Sequence, residues 1–340
     1  MLDDRKTAIL SAVVQEYIAT AQPVGSSHIA GVSGVGVSSA TVRNEMAVLE
    51  QEGYLVQPHT SAGRIPTDKG YRFFVDHLAA PSQIDAATTR QVGEFFAAAH
   101  GRLEEMLHQT SDLLTRLTHN AAVVLGPKAE AATIRGAQIV RLSANAATVV
   151  LVFGNGNVES EVILIDDETP DTVLAAASVH LASTLTGETL GSVGPVDSSG
   201  SIGTVIGTGD ELTDSICGAA IEAMRAVSTD DHVYVGGAST VADSFDAVDV
   251  VRQVLHTLEQ QFVVVSLVRD IVDRGMSVAI GIEHGVEPLS ACSVVVAPVV
   301  VDGEHLGSVG VLGPTRMNYP QALATVDMVS NRLGRRLGES

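Results

Sequence analysis

The stretch from Ser38 to Leu78, SSATVRNEMAVLEQEGYLVQPHTSAGRIPTDKGYRFFVDHL, constrains this chain more than any other. Ser38 or Ser39 stands where a helix cap is expected, since a serine hydroxyl accepts hydrogen bonds from the first unpaired amides. Val42, Met46 and Leu49 follow at i, i+4, i+7, so one face of a helix ending near Gly53 must be buried. The opposite face carries Ala40, Asn44, Ala47 and Gln51, flanked by Thr41 and Arg43. Leu55–Pro58 and Arg64–Pro66 then read as two short strands around His59, Thr60, Ser61, Ala62 and Gly63. Proline at their ends confines this ribbon to an edge. Thr67 opens a further helix with a core face of Tyr71, Phe74, Val75 and Leu78.

Upstream, Ile9, Val13 and Tyr17, with Leu10, Val14 and Ile18 beside them, form an apolar stripe along Asp4 to Ala21. Pro23 and Gly25 end that helix, and Ser26 or Ser27 can cap a short second one through Ala30. Helix, turn, capped helix and ribbon together outline a winged helix-turn-helix. Small residues around Asn44 and Gln51 permit close approach to base edges, where side-chain amides pair with adenine. Ser38, Ser39, Thr41 and Arg43 suit phosphate contacts at a helix N-terminus. His59 and Thr60 lie on the ribbon tip, and Arg64, Lys69 and Arg72 follow where a DNA backbone would run. Taken alone, the third helix also fits an ordinary amphipathic helix with a solvated polar face. The set is more specific than its parts.

A net charge of -20 at first argues against nucleic acid, which demands Lys and Arg. The charge is unevenly spread. Residues 1–78 hold six Lys/Arg against eight Asp/Glu, and the remaining residues hold 14 against 32. A near-neutral head on an acidic body can bind DNA with the body held away. Two cysteines, Cys217 and Cys292, without a CxxC pair fit a reducing compartment with no zinc site or disulfide framework. The first residues, MLDDRKTAIL, lack an apolar signal core, and Phe262–Val268 and Ser293–Val301 are far shorter than the roughly 20 residues of a membrane helix. The expectation is a soluble cytoplasmic protein that does not engage a membrane.

After Pro81, residues from Val92 to Leu117 follow the 4,3 spacing of a heptad seam. Such a seam can pair with a second copy or lie on the chain's own sheet; Gly93 and Gly101 favour the latter. Strands are expected over Thr133–Leu142, Thr148–Phe153, Val158–Ile165, Ser277–Ile282, Cys292–Val301 and Leu306–Leu312, with turns at Asn155-Gly156 and Asp302-Gly303. Helices are expected over Thr172–Leu185, Leu212–Val227 and Ala322–Leu337, and at Val248, Val251, Leu255 and Leu258. His232–Val235 reads as a short strand, and Gly187 to Gly209, with seven glycines, as a flexible loop. This order implies an α+β body, an antiparallel sheet with helices on its face. Catalytic constellations such as GxSxG and HExxH are missing, and the single Glu105-x-x-His108 is a solvated helix face. No enzyme, cofactor or metal is expected.

Ser38-Ser39-Ala40-Thr41-Val42-Arg43-Asn44-Glu45-Met46, followed by Pro58 to Arg72 (PHTSAGRIPTDKGYR), resembles the signature of the heat-inducible transcription repressor family, HrcA. Gly313-Pro314-Thr315-Arg316-Met317-Asn318-Tyr319-Pro320 is similar to that family's C-terminal signature, and Tyr234-Val235-Gly236-Gly237 and Cys292-Ser293-Val294-Val295 keep the family's order. Ser27-His28 depart from it, standing where many relatives carry Lys or Arg. The resemblance implies a winged-helix head over residues 1–78, a GAF-like domain over 79–188 and 275–340, and an inserted α/β dimerisation domain over 189–274. It further implies a homodimeric repressor on an inverted-repeat operator in double-stranded DNA, the CIRCE element upstream of chaperone operons (groE, dnaK). Inactivation by heat and the GroEL chaperonin as a partner belong to the same expectation. The alternative is a winged-helix regulator gated by a small molecule in the GAF-like domain.

Overall fold

Cys292–Val301, CSVVVAPVVV, is apolar on both sides of its pleat, so it can be satisfied only inside a sheet covered on two faces. It pairs antiparallel with Glu304–Pro314, and these two strands form the middle of a five-stranded antiparallel sheet. The computed structural model describes residues 2–32, 34–59, 62–77, 82–98, 103–126, 133–154, 158–193, 208–228, 233–242, 245, 248–301 and 303–338. Thr60, Leu78, the Asn155-Gly156 and Asp302 turn positions, and most of the glycine-rich stretch, 194–207, lie outside them.

The head begins with α1 (Asp4–Thr20), α2 (Ser26–Ile29) and α3 (Ser39–Gln51). β1 (Leu55–Val56) and β2 (Ile65–Pro66) form the expected ribbon, and α4 (Asp68–His77) closes it. Two helices, α5 (Ala86–Ala98) and α6 (Leu103–Thr118), follow. They pack on this chain's own body, α5 against the C-terminal helix and α6 against that helix and β3 (Ala121–Leu125). The seam therefore serves the sheet.

The chain then leaves the sheet. β4 (Ile134–Ser143), β5 (Ala146–Phe153) and β6 (Val158–Leu164) make a separate three-stranded sheet. One of its faces, with Val149, Leu151, Phe153 and Ile163, is buried under α7 (Asp171–Leu185) and α8 (Glu211–Ser228) in a core of its own. The chain returns as β7 (Val233–Gly236), which pairs antiparallel with β3. α9 (Ala238–Ala242), α10 (Val248–Glu259) and α11 (Gln261–Asp273) lead to β8 (Val278–Ile280), β9 (Cys292–Val301), β10 (Glu304–Pro314) and α12 (Tyr319–Gly338).

The large sheet has the order β7-β3-β10-β9-β8. Alternation along its strands separates two cores. Ala121, Val123, Val294, Val296 and Leu312 face α10 and α11, whereas Ala122, Val124, Val295, Val309 and Val311 face α6 and α12. That second core continues without a break into the head, through Tyr71, Phe74 and Tyr319.

This topology corrects the expected domain division. β7, expected within an insertion over 189–274, is a strand of the main sheet, and α10 and α11 cover that sheet. β4 to β6 and α7, expected in the GAF-like part, share a core with α8 instead. The interruption therefore runs from the end of β3 to the start of β7. Strand pairing between β3 and β7 fixes it, and no local residue pattern announces such a pairing.

The C-terminal signature is part of this core. Tyr319 is fully buried; its hydroxyl lies 2.8 Å from Ser293 Oγ and donates to the Thr315 carbonyl at 2.6 Å. A Cβ on Gly313 would fall 1.9 Å from Asn120 Oδ1, so any larger residue there would have to displace the Asn120 side chain. Cys217 and Cys292 are buried, and desolvation pushes both thiols up to about 12. Neither is expected to react with a maleimide at neutral pH until the chain unfolds, because the thiolate is the nucleophile. Mass spectrometry of the labelled native and denatured protein checks this; rapid native labelling at either position would contradict the burial.

Candidate nucleic-acid interface

α3 owes its placement to both of its sides. Val42, Met46 and Leu49 are fully buried against the rest of the head, which turns Ala40, Arg43, Asn44 and Gln51 to solvent. Ser38 is the N-cap: its hydroxyl accepts from the Thr41 amide at 3.2 Å and lies 3.0 Å from the Thr41 hydroxyl. Ser39 Oγ lies 3.2 Å from Ser26 Oγ and 3.3 Å from Ser27 Oγ, so these hydroxyls hold α2 to the start of α3. His28 meets Glu16 at 3.1 Å. Ser38, Ser39, Thr41, Arg43 and Asn44 therefore gather on the first turns of α3. Gln51 sits on the same outward side about 10 Å farther along the axis, at 1.5 Å per residue.

The wing is tied down from beneath. Val24 and Arg64 exchange two backbone hydrogen bonds of 2.9 Å, which adds a third short edge to the ribbon. At the tip, the Ala62 amide donates to the His59 carbonyl at 2.9 Å, and Gln57 Nε2 donates to the Ala62 carbonyl at 2.8 Å. His59 is exposed there.

The cations after the wing are more committed than the sequence suggested. Arg64 is half-buried, its Nε and a terminal nitrogen each 3.0 Å from Glu50 Oε2. Lys69 is exposed, yet its ammonium donates to the Glu52 carbonyl at 2.7 Å and sits 4.4 Å from the Tyr54 ring centre. Arg72 is the correction. Its guanidinium faces the body, donating through Nε to Glu283 Oε1 at 2.9 Å and through a terminal nitrogen to the Val278 carbonyl at 2.8 Å. A side chain bound to β8 and the turn after it is turned away from the exposed face of α3. The partners Glu50, Glu52 and Glu283 could not be read as partners beforehand, since Arg72 and Glu283 stand 211 residues apart.

Among the described residues, no group of three or more His, Cys, Asp or Glu could hold a metal ion. None of the described helices is long and apolar enough to cross a membrane. Glu105 accepts from Gln109 Nε2 at 3.1 Å, and His108 pairs with Asp112 at 3.6 Å on the exposed side of α6.

A capped, small-residue helix beside a wing, carried on a sheet-based body, defines a winged-helix transcription regulator. Residues 104–323 match the family described as HrcA protein C terminal domain. The heat-inducible transcription repressor HrcA of Cutibacterium acnes is 37% identical over 344 residues, covering 100% of both chains. That of Nocardioides sp. is 36% identical over 344 residues with the same coverage. A crystal structure described as a hypothetical protein superposes with a TM-score of 0.67 at 25% identity, covering 100% of this chain and 99% of the other. The chain belongs to the HrcA family of heat-inducible transcription repressors.

Proposed function

We propose that two copies of this chain bind the two halves of an inverted-repeat operator in double-stranded DNA, with α3 of each head in the major groove. The exposure of Asn44 and Arg43 on a serine-capped α3 beside the wing carries this reading. Asn44 reads a base edge; Ser38, Thr41 and Arg43 hold phosphates, with Lys69 and His59 along the wing side. Ser39 contributes through its hold on α2, and Arg64 through its hold on α3. One head with so few cations binds weakly, so the pairing of two heads supplies the affinity.

The three-stranded sheet supports a homodimer. Its outer face carries Val140, Leu142, Val152, Val158, Val162 and Leu164, all exposed. Monomeric proteins rarely expose a continuous apolar patch of this kind. A second copy of the same face covers it by a two-fold axis, which matches the symmetry of an inverted repeat. Family membership supports the finer terms: the CIRCE element as operator, groE and dnaK as controlled operons, GroEL as a chaperonin partner, and loss of the dimer on heating.

The test is binding of the full chain to a duplex carrying an inverted repeat, against a scrambled duplex, at several salt concentrations. Asn44→Ala is expected to cost about 1–3 kcal/mol at one base pair and to relax preference there. Arg43→Ala is expected to weaken every sequence alike and to flatten the salt slope by about one. Equal effects of both variants on specific and scrambled DNA would reverse the assignment of faces.

A second reading rests on a cavity of about 180 Å³ between α11, the end of β3 and the start of β10, lined by Leu125, Arg269, Val272, His305 and Ser308. It is large enough for a small polar molecule, which would make the body a sensor. A compound that raised the melting temperature and changed operator affinity together would favour that reading.

A further inference from the structure

α4 belongs to two bodies at once. It closes the wing, where its Gly70 packs so tightly that a Cβ would lie 2.3 Å from the Tyr54 carbonyl oxygen. Its other side is keyed into the body. Tyr71 and Phe74 are buried in the shared core, with the Tyr71 ring 5.9 Å from that of Tyr319. Gly281, at φ 55°, presses the body's backbone so close to Asp68 that a Cβ would fall 2.2 Å from its carboxylate.

Arg72 locks this seating. Its guanidinium grips both oxygens of Glu283, reaches the Val278 carbonyl and touches Asp76 at 3.1 Å. Glu283 is held in turn by the Ile280 amide at 2.9 Å, and its carbonyl accepts from Arg274 at 3.1 Å. Burial alone would raise the Glu283 carboxyl, but the Arg72 hydrogen bond and charge and the Ile280 amide bring it below its usual value. A planar fork matched to a carboxylate fixes direction as well as distance.

We propose that Arg72 and Glu283 are positioning residues that set the angle of the head on the body, and through it the spacing of two α3 helices on the operator. The inference rests on the paired-head reading above. Neither residue touches DNA; both act through the seating of α4.

The experiment uses the full chain with Arg72→Gln, Glu283→Gln and the double variant. DNA is the full inverted repeat or a single half-site. Spin labels at Glu52→Cys on the head and Ser290→Cys on the body report their separation without DNA, the native cysteines being buried. Each single variant is expected to broaden the label distance distribution and to weaken the full site on the order of tenfold, leaving the half-site unchanged. The double variant is expected to be no worse than either single one, the non-additivity of a coupled pair.

Glu283→Gln gives the sharpest sign. It removes a negative charge, so simple electrostatics predicts tighter DNA binding, whereas loss of seating predicts weaker binding. Arg72→Lys keeps the positive charge but cannot hold two carboxylate oxygens and a carbonyl together, so it too is expected to weaken the full site. Unchanged label distances in all variants would overturn the proposal, as would equal losses on full and half sites. If the wild-type chain binds neither DNA, the paired-head reading fails, and the label distances still decide whether the seating exists.

Discussion

Aspartate at both Val162 and Leu164 is expected to turn the protein into a folded monomer that binds the inverted repeat some 10²–10⁴-fold more weakly, the range lost when a second linked contact is removed. The two side chains are 56% and 82% exposed, so the single chain gives up little burial when they change. On the proposed pairing of this face with a second copy, the added carboxylates lie within a self-complementary apolar interface, where like charges meet with little water to screen them. The core of that unit lies on the other face, under α7 and α8, and is left alone. Sedimentation and half-site binding check the result together: a smaller particle with unchanged half-site affinity supports pairing through this sheet. A variant that still sediments as a dimer would move the pairing surface elsewhere.

Gly63→Ala is expected to destabilise the head by about 1–3 kcal/mol, as overpacking does in close-packed sites. A Cβ there would lie 2.4 Å from both the carbonyl carbon and oxygen of Val24 and 2.7 Å from that of Pro23. These are backbone atoms, so no rotamer change relieves the contact. Movement must instead break the paired hydrogen bonds between Val24 and Arg64 that hold the wing. Gly93→Ala is the internal control with the opposite sign. Gly93 lies within α5, and a Cβ there meets nothing within 4 Å. Alanine at such a site is expected to stabilise by about 0.5–1 kcal/mol, since glycine loses more backbone freedom on folding. Melting curves of both variants test the pair; a stabilising Gly63→Ala would disprove the seating of the wing.

The parts of this fold that could be read from the sequence are those whose signal is local. α3 announced itself by a serine cap and a 3.6-residue apolar stripe, and the wing by its two prolines. β5, β9 and β10 are marked by Val and Leu. β3 carries no such mark, because Ala121–Leu125 is five apolar residues with no alternation, equally at home in a buried helix. The limits of the insertion were hidden for a related reason. They depend on β3 meeting β7, more than a hundred residues later, and neither strand carries a mark of its partner. Arg72 is of the same kind: its charge is visible in the sequence, whereas the carboxylate that claims it lies far along the chain. The outward side of Asn44 and Gln51 is legible because three buried neighbours on one helix settle where the other side must point.

The insertion leaves and rejoins the main sheet at one place. Leu125, where the chain departs, and Val233, where it returns, are register partners on adjacent strands. A unit with its own core, closed on itself at one pair of residues, can melt without unravelling the sheet that carries it. For a repressor that answers to heat, and on the proposed pairing of two chains through this sheet, that arrangement works as a fuse: the pairing unit can fail first, while the heads remain intact. Cooling then has only the smaller unit to rebuild.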